Sequence, residues 1–71
     1  MNRQPVNSEK IKSVGYDIDA RILEVELSSD LVYQYTDVPD LVYQGLLYSP
    51  VKDNYYESMF ENGPYKRIRI Q

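Results

Sequence analysis

The apolar residues of this chain change their spacing once, at Val38-Pro39, and that change limits the folds open to it. Before it, Leu23, Val25 and Leu27 alternate with Glu24 and Glu26, and Leu31, Tyr33 and Tyr35 alternate with Val32 and Gln34. A period of two is the pattern of strands that turn one face to a core. After it, Val38, Leu41, Val42, Gly45 and Leu46 recur at i, i+3, i+4, i+7 and i+8, which is one stripe of an amphipathic helix. Pro39 suits the first helical turn, where a missing N–H costs nothing, and it pushes Val38 into extended geometry. Asp40 places negative charge where the helix dipole favours it.

The flanking segments complete the plan. Ile11 to Tyr16 reads as another strand, and Gly15 inside it signals a bulge or a close backbone approach. Asp17-Ile18-Asp19-Ala20 and Ser28-Ser29-Asp30 are turn sequences, so three strands with two short connections make an antiparallel meander. Ser49 caps a second helix with Pro50 in its first turn; Val51, Tyr55 and Met59 lie four apart on it, as do Tyr56 and Phe60. Asn62-Gly63-Pro64 ends that helix, because glycine accepts left-handed geometry and proline cannot continue the spiral. Tyr65 to Ile70 alternates apolar and basic residues, and both a short closing strand and an extended tail are open. The expected fold is α+β: a three-stranded antiparallel meander followed by two helices, with that C-terminal strand as an option. Residues 1 to 8 are polar, carry Pro5 and lack periodicity, so they are expected to form a flexible N-terminal arm. Residues 9 to 71 then make one domain, since a chain of 71 residues holds only one core.

Chemistry is scarce in this inventory. The chain has neither His nor Cys, so a serine hydroxyl finds no ordinary base and no thiolate can hold a metal. A non-enzymatic chain without cofactors is expected. Asp17-x-Asp19 starts like a calcium loop, but Arg21 stands where a third oxygen is required, and a turn is the better reading. Glu24 and Glu26 read as a solvated strand face. No apolar run near Met1 could serve as a signal-peptide core or a membrane span, so a cytoplasmic address without membrane contact is expected.

Binding residues are the remaining candidates. Eight Lys and Arg against eleven Asp and Glu leave a net charge of −3, so attraction to nucleic acid needs a local basic patch. Lys66, Arg67 and Arg69 form the one cluster of that kind, and Arg67 and Arg69 point outward together if Ile68 and Ile70 face the core. Tyrosine is abundant, at eight residues, and its ring and hydroxyl suit a half-wet surface. Tyr33 and Tyr35 share a strand face and could stack bases, but a small sheet packed on two helices needs such rings as core.

Gly15-Tyr16-Asp17, Leu23-Glu24-Val25, Tyr33-Gln34-Tyr35, Val38-Pro39 and Val42-Tyr43 occur in an order that resembles the KTSC domain over about residues 9 to 68. That module is named for its place at the C-terminus of some lysyl-tRNA synthetases and also occurs as small free-standing bacterial and phage proteins. The resemblance implies RNA as a candidate partner and implies no settled biochemical activity. The pattern departs from the family at Ser49 to Asn54 and at Tyr55-Tyr56-Glu57, where Glu57 and Glu61 replace Asn and basic character. The other class of partner is a protein, either a second copy of the chain or a host factor, which the acidic balance and the tyrosines favour.

Overall fold

Residues that lie opposite one another in an antiparallel ladder share a face, and the register here collects most of the apolar ones on one side, with Val32 and Ile68 on the other. The computed structural model describes all 71 residues. Its elements are β1 (Gln4–Pro5), β2 (Ile11–Asp17), β3 (Ile22–Leu27), β4 (Val32–Tyr35), α1 (Asp40–Tyr48), α2 (Lys52–Tyr56) and β5 (Arg67–Arg69). A π-helical turn, Glu57–Glu61, continues α2. The five strands form one antiparallel sheet in the order of the chain. Val14 pairs with Val25, Tyr16 and Tyr35 both pair with Leu23, and these residues face the helices. There Ile11, Val14, Leu23, Val25 and Tyr35 join Val38, Leu46, Tyr56 and Phe60 in one core.

The α+β class holds, but the sheet has five strands rather than three. Both additions lie at its edges. Gln4-Pro5 pairs with Val14 and Ser13, so the segment expected to be a free arm contributes β1, fixed further by the Val6 N–H on the Lys12 carbonyl at 3.3 Å. Pro5 is compatible with a strand because that strand is an edge, where one row of N–H groups has no partner. At the other side Arg67–Arg69 pairs with β4, which resolves residues 65 to 70 in favour of a short strand.

The helix stripe is rotated from its expected position. Leu41 is 78% exposed, while Val42, Tyr43, Leu46 and Leu47 pack on the core. The reason lies in Pro39, which sits before the first helical residue with extended geometry (ψ 148°). Val38 is therefore buried from the connecting segment, and counting helical phase from it misplaces Leu41. In the next turn the Ser49 hydroxyl accepts the Val51 N–H at 3.1 Å, and α2 begins only at Lys52. Gly63 is needed for space rather than for handedness: no glycine has positive φ, and a Cβ there would run into the Met59 carbonyl.

Of the two alternatives for Gly15, the structure shows the close approach and puts the bulge elsewhere. The bulge occurs at Lys12, between Ile11 and Ser13, and lets Ile11 and Val14 both face the core. Gly15 itself is the point of close approach, because a Cβ there would lie 2.5 Å from the Asn2 carbonyl oxygen and 3.2 Å from Arg3 Cγ. Replacing Gly15 with Ala should push β1 off the sheet and cost about 1–3 kcal/mol by overpacking. Urea unfolding would report the loss, and unchanged stability would show that β1 yields without strain.

Candidate functional site

The face of the sheet away from the helices carries a polar row that begins beside β1. Arg3 Nη1 donates to Glu24 Oε2 at 3.0 Å, passing over Gly15, and Gln34 Nε2 donates to Glu24 Oε1 at 2.9 Å. Glu24 is only 8% exposed, so the expected solvated face is corrected: Arg3 and Gln34 cover this carboxylate and satisfy both its oxygens. The neighbouring Glu26 accepts the Ser13 hydroxyl at 2.8 Å. Gly15 was the one sequence signal for this row, and the position of Arg3 gave none.

The tyrosine pair divides between core and rim. Tyr35 is fully buried, and its hydroxyl shares a hydrogen bond of 2.6 Å with the Tyr56 hydroxyl. The Tyr35 ring is therefore no stacking platform. Burial pushes the Tyr56 hydroxyl well above its ordinary pKa of 10.0, and the bond with Tyr35 adds to the shift. Tyr33, two residues earlier, is half-buried at the rim, with the Arg67 guanidinium carbon 4.3 Å from its ring centroid. That spacing is a cation–π contact.

The basic cluster sits on β5 with its orientation reversed. Arg67 pairs with Tyr35 and Arg69 with Tyr33, so both arginines lie on the helix side of the sheet. Ile68, opposite Gln34, is on the other face, and Ile68 and Ile70 are 45% and 52% exposed. The core beneath β5 is already filled by Tyr35, Phe60 and Tyr65, which leaves the isoleucines outside. Arg67 keeps its charge firmly, held above its ordinary value chiefly by the neighbouring Tyr35 hydroxyl. The structure thus brings Tyr33, Arg67 and Arg69 together on one rim and withdraws Tyr35 from it. Lys66 is adjacent and exposed, its carbonyl accepting the Thr36 N–H at 3.1 Å.

Elsewhere three cations are ion-paired, Arg3 with Glu24 among them, Lys52 donates to the Ser49 carbonyl at 2.9 Å, and Arg21 stands alone in its turn. Lys10 bridges Glu57 at 3.1 Å and also Glu61, and Lys12 meets Asp30 at 2.7 Å. Lys66, Arg67 and Arg69 form no ion pair. A polar hollow between Ser8 and the start of α2 is closed to similar use, since Asp53 already accepts the Ser8 hydroxyl and the Lys10 N–H. Those two bonds, Ser8 first, hold the Asp53 carboxyl below its ordinary range. In the β2–β3 turn, Asp17 accepts the N–H groups of Asp19 at 3.0 Å and Ala20 at 3.1 Å, which is the turn chemistry its sequence indicated. No helix is long and apolar enough to cross a membrane.

Fold and site define a small α+β domain whose five-stranded sheet ends in a basic edge strand. The KTSC domain model matches residues 7–65, and the chain belongs to the KTSC domain family. The match stops just short of β5. An uncharacterised protein of Stutzerimonas stutzeri (strain A1501) is 37% identical over 70 residues, covering 99% of both chains. The crystal structure of a KTSC domain protein from Yersinia pestis superposes with a TM-score of 0.92 at 33% identity, covering 99% of this chain and 97% of that one.

Proposed function

We propose that the domain is a non-enzymatic, cytoplasmic protein-interaction module that works through the edge of β5. The observation that carries this reading is that β5 ends the sheet, and its edge is lined by Lys66, Arg67 and Arg69 without carboxylate partners. An unpaired strand edge is a template for pairing with another chain. Net acidity of −3 opposes a long polyphosphate, whose charge runs on past this patch, more than a short protein segment that ends on it.

RNA is the second reading, supported by the same three cations and by the synthetase-linked resemblance. The burial of Tyr35 counts against it, since one ring already covered by Arg67 offers little stacking surface. Capture from nuclease-treated bacterial lysate should be lost when Arg67 and Arg69 are both replaced by Glu. Equal capture by the double variant would remove β5 from the function. Salt-sensitive, saturable amide shifts at Tyr33 and Arg67 to Arg69 on adding short single-stranded RNA would instead establish the RNA reading.

A further inference from the structure

The backbone of β5 has an orientation as definite as its side chains. Ile70 N–H donates to the Val32 carbonyl at 2.8 Å, and Thr36 N–H donates to the Lys66 carbonyl at 3.1 Å. Residues bonded across an antiparallel ladder alternate with residues whose backbone groups point away from it. Lys66, Ile68 and Ile70 therefore turn their main chain toward β4. The N–H and C=O groups of Arg67 and Arg69 point out from the sheet, where no strand follows.

The same strand differs on its two sides. Arg67 and Arg69 stand on the helix side, whereas the exposed Ile68 and Ile70 stand on the other. A strand laid against this edge would pair by backbone bonds with Arg67 and Arg69, and its residues opposite them would project to the arginine side. Its alternate residues would lie beside the isoleucines. We propose that β5 captures an extended acidic segment of a partner protein as a sixth strand. Carboxylates at alternate positions would sit beside Arg67 and Arg69, and apolar residues between them would cover Ile68 and Ile70. This rests on the protein-interaction reading and specifies its ligand.

Charge selects this occupant over a second copy of the chain. Two β5 strands paired antiparallel, with helices on the same side, would set arginine opposite arginine, and like charges directly opposed destabilise a ladder. An acidic strand removes that repulsion and gives each guanidinium a carboxylate. Arg67 is already braced over Tyr33, so less freedom is lost when it binds.

The test uses the isotope-labelled full chain and two capped octapeptides of the same composition: one alternates Glu and Val, the other has four Glu followed by four Val. The alternating peptide should give saturable amide shifts at residues 66 to 70 and bind about tenfold more tightly than the block peptide, the equivalent of one or two good hydrogen bonds. Arg69→Pro and Arg69→Gln both remove the charge, but only the first removes an outward N–H. Binding of the alternating peptide should fall about tenfold further for Arg69→Pro than for Arg69→Gln, with the rest of the spectrum unchanged. Equal binding of the two peptides, or equal binding by the two variants, would overturn strand addition while leaving an acidic protein ligand in place. No shift with either peptide, together with saturable shifts on adding single-stranded RNA, would overturn both. Silence with all three probes also overturns the proposal and leaves the arginines as guards against edge-to-edge association.

Discussion

Phe60→Ala should remove most of the stability of this domain. The Phe60 ring is 2% exposed, and its centroid lies 5.0 Å from that of Tyr35, 5.8 Å from Tyr56 and 5.4 Å from Tyr65. It is the centre of the aromatic group that joins the sheet to the second helix and to the segment leading into β5. Truncating a buried phenylalanine costs about 3–5 kcal/mol, through lost burial and the cavity left behind. A domain of this length is expected to have about 4–10 kcal/mol in total. Thermal unfolding followed by circular dichroism should show a large fall in melting temperature or no folded baseline at all. Leu41→Ala, at a site 78% exposed, should stay within about 0.5 kcal/mol of the parent and serves as the control. A Phe60→Ala protein that melts within a few degrees of the parent would mean that the aromatic group does not hold the two layers together.

The second large effect is alkaline. In the unfolded chain the Tyr56 phenol loses its proton near pH 10.0, whereas in the folded chain burial and the Tyr35 bond raise its pKa well beyond that. The folded state therefore holds a proton that the unfolded state has released. Stability from this group is fully present below pH 10.0 and declines as pH rises above it. Its slope is about 1.4 kcal/mol per pH unit, one proton's worth of linkage. Tyr43 and Tyr55, also raised chiefly by burial, act in the same direction. Urea midpoints measured from pH 8 upward should be flat at first and then fall. Tyr56→Phe should make the fall shallower, even though it costs about 1–3 kcal/mol at neutral pH by leaving the buried Tyr35 hydroxyl without its partner. An unchanged slope in that variant would mean that Tyr56 is not the group that titrates.

What could be read in advance was what rests on local periodicity. Leu23 and Val25 face the core as their alternation requires, and the turns at Asp17 and Asp30 lie where short polar residues placed them. For Tyr35 alternation gave only the face it shares with Tyr33, which left core and binding surface both open. β1 was not legible, because a strand of two residues containing proline has no pattern to recognise. It exists through pairing with Ser13 and Val14, a tertiary contact. Glu24 looked solvated because its alternation with Leu23 and Val25 specifies a face and says nothing about what crosses that face. The orientation of β5 failed for a related reason. Alternation shows that Ile68 and Arg67 lie on opposite sides, but which side is inner depends on how Tyr35, Phe60 and Tyr65 have already filled the core.

The placement of β5 also has a kinetic meaning. The hairpins β2–β3 and β3–β4 join residues close in sequence, so little chain entropy opposes their closure, whereas β5 can dock only after both helices have brought the chain back to β4. With three exposed residues and one neighbour, β5 is also held by the fewest contacts of the four longer strands. Its amides should therefore exchange with solvent earlier than those of β3, through fraying that leaves the remaining sheet intact. A ligand seated on that edge would slow the fraying, so occupancy could be read as added protection of β5 with almost no change in the shape of the protein.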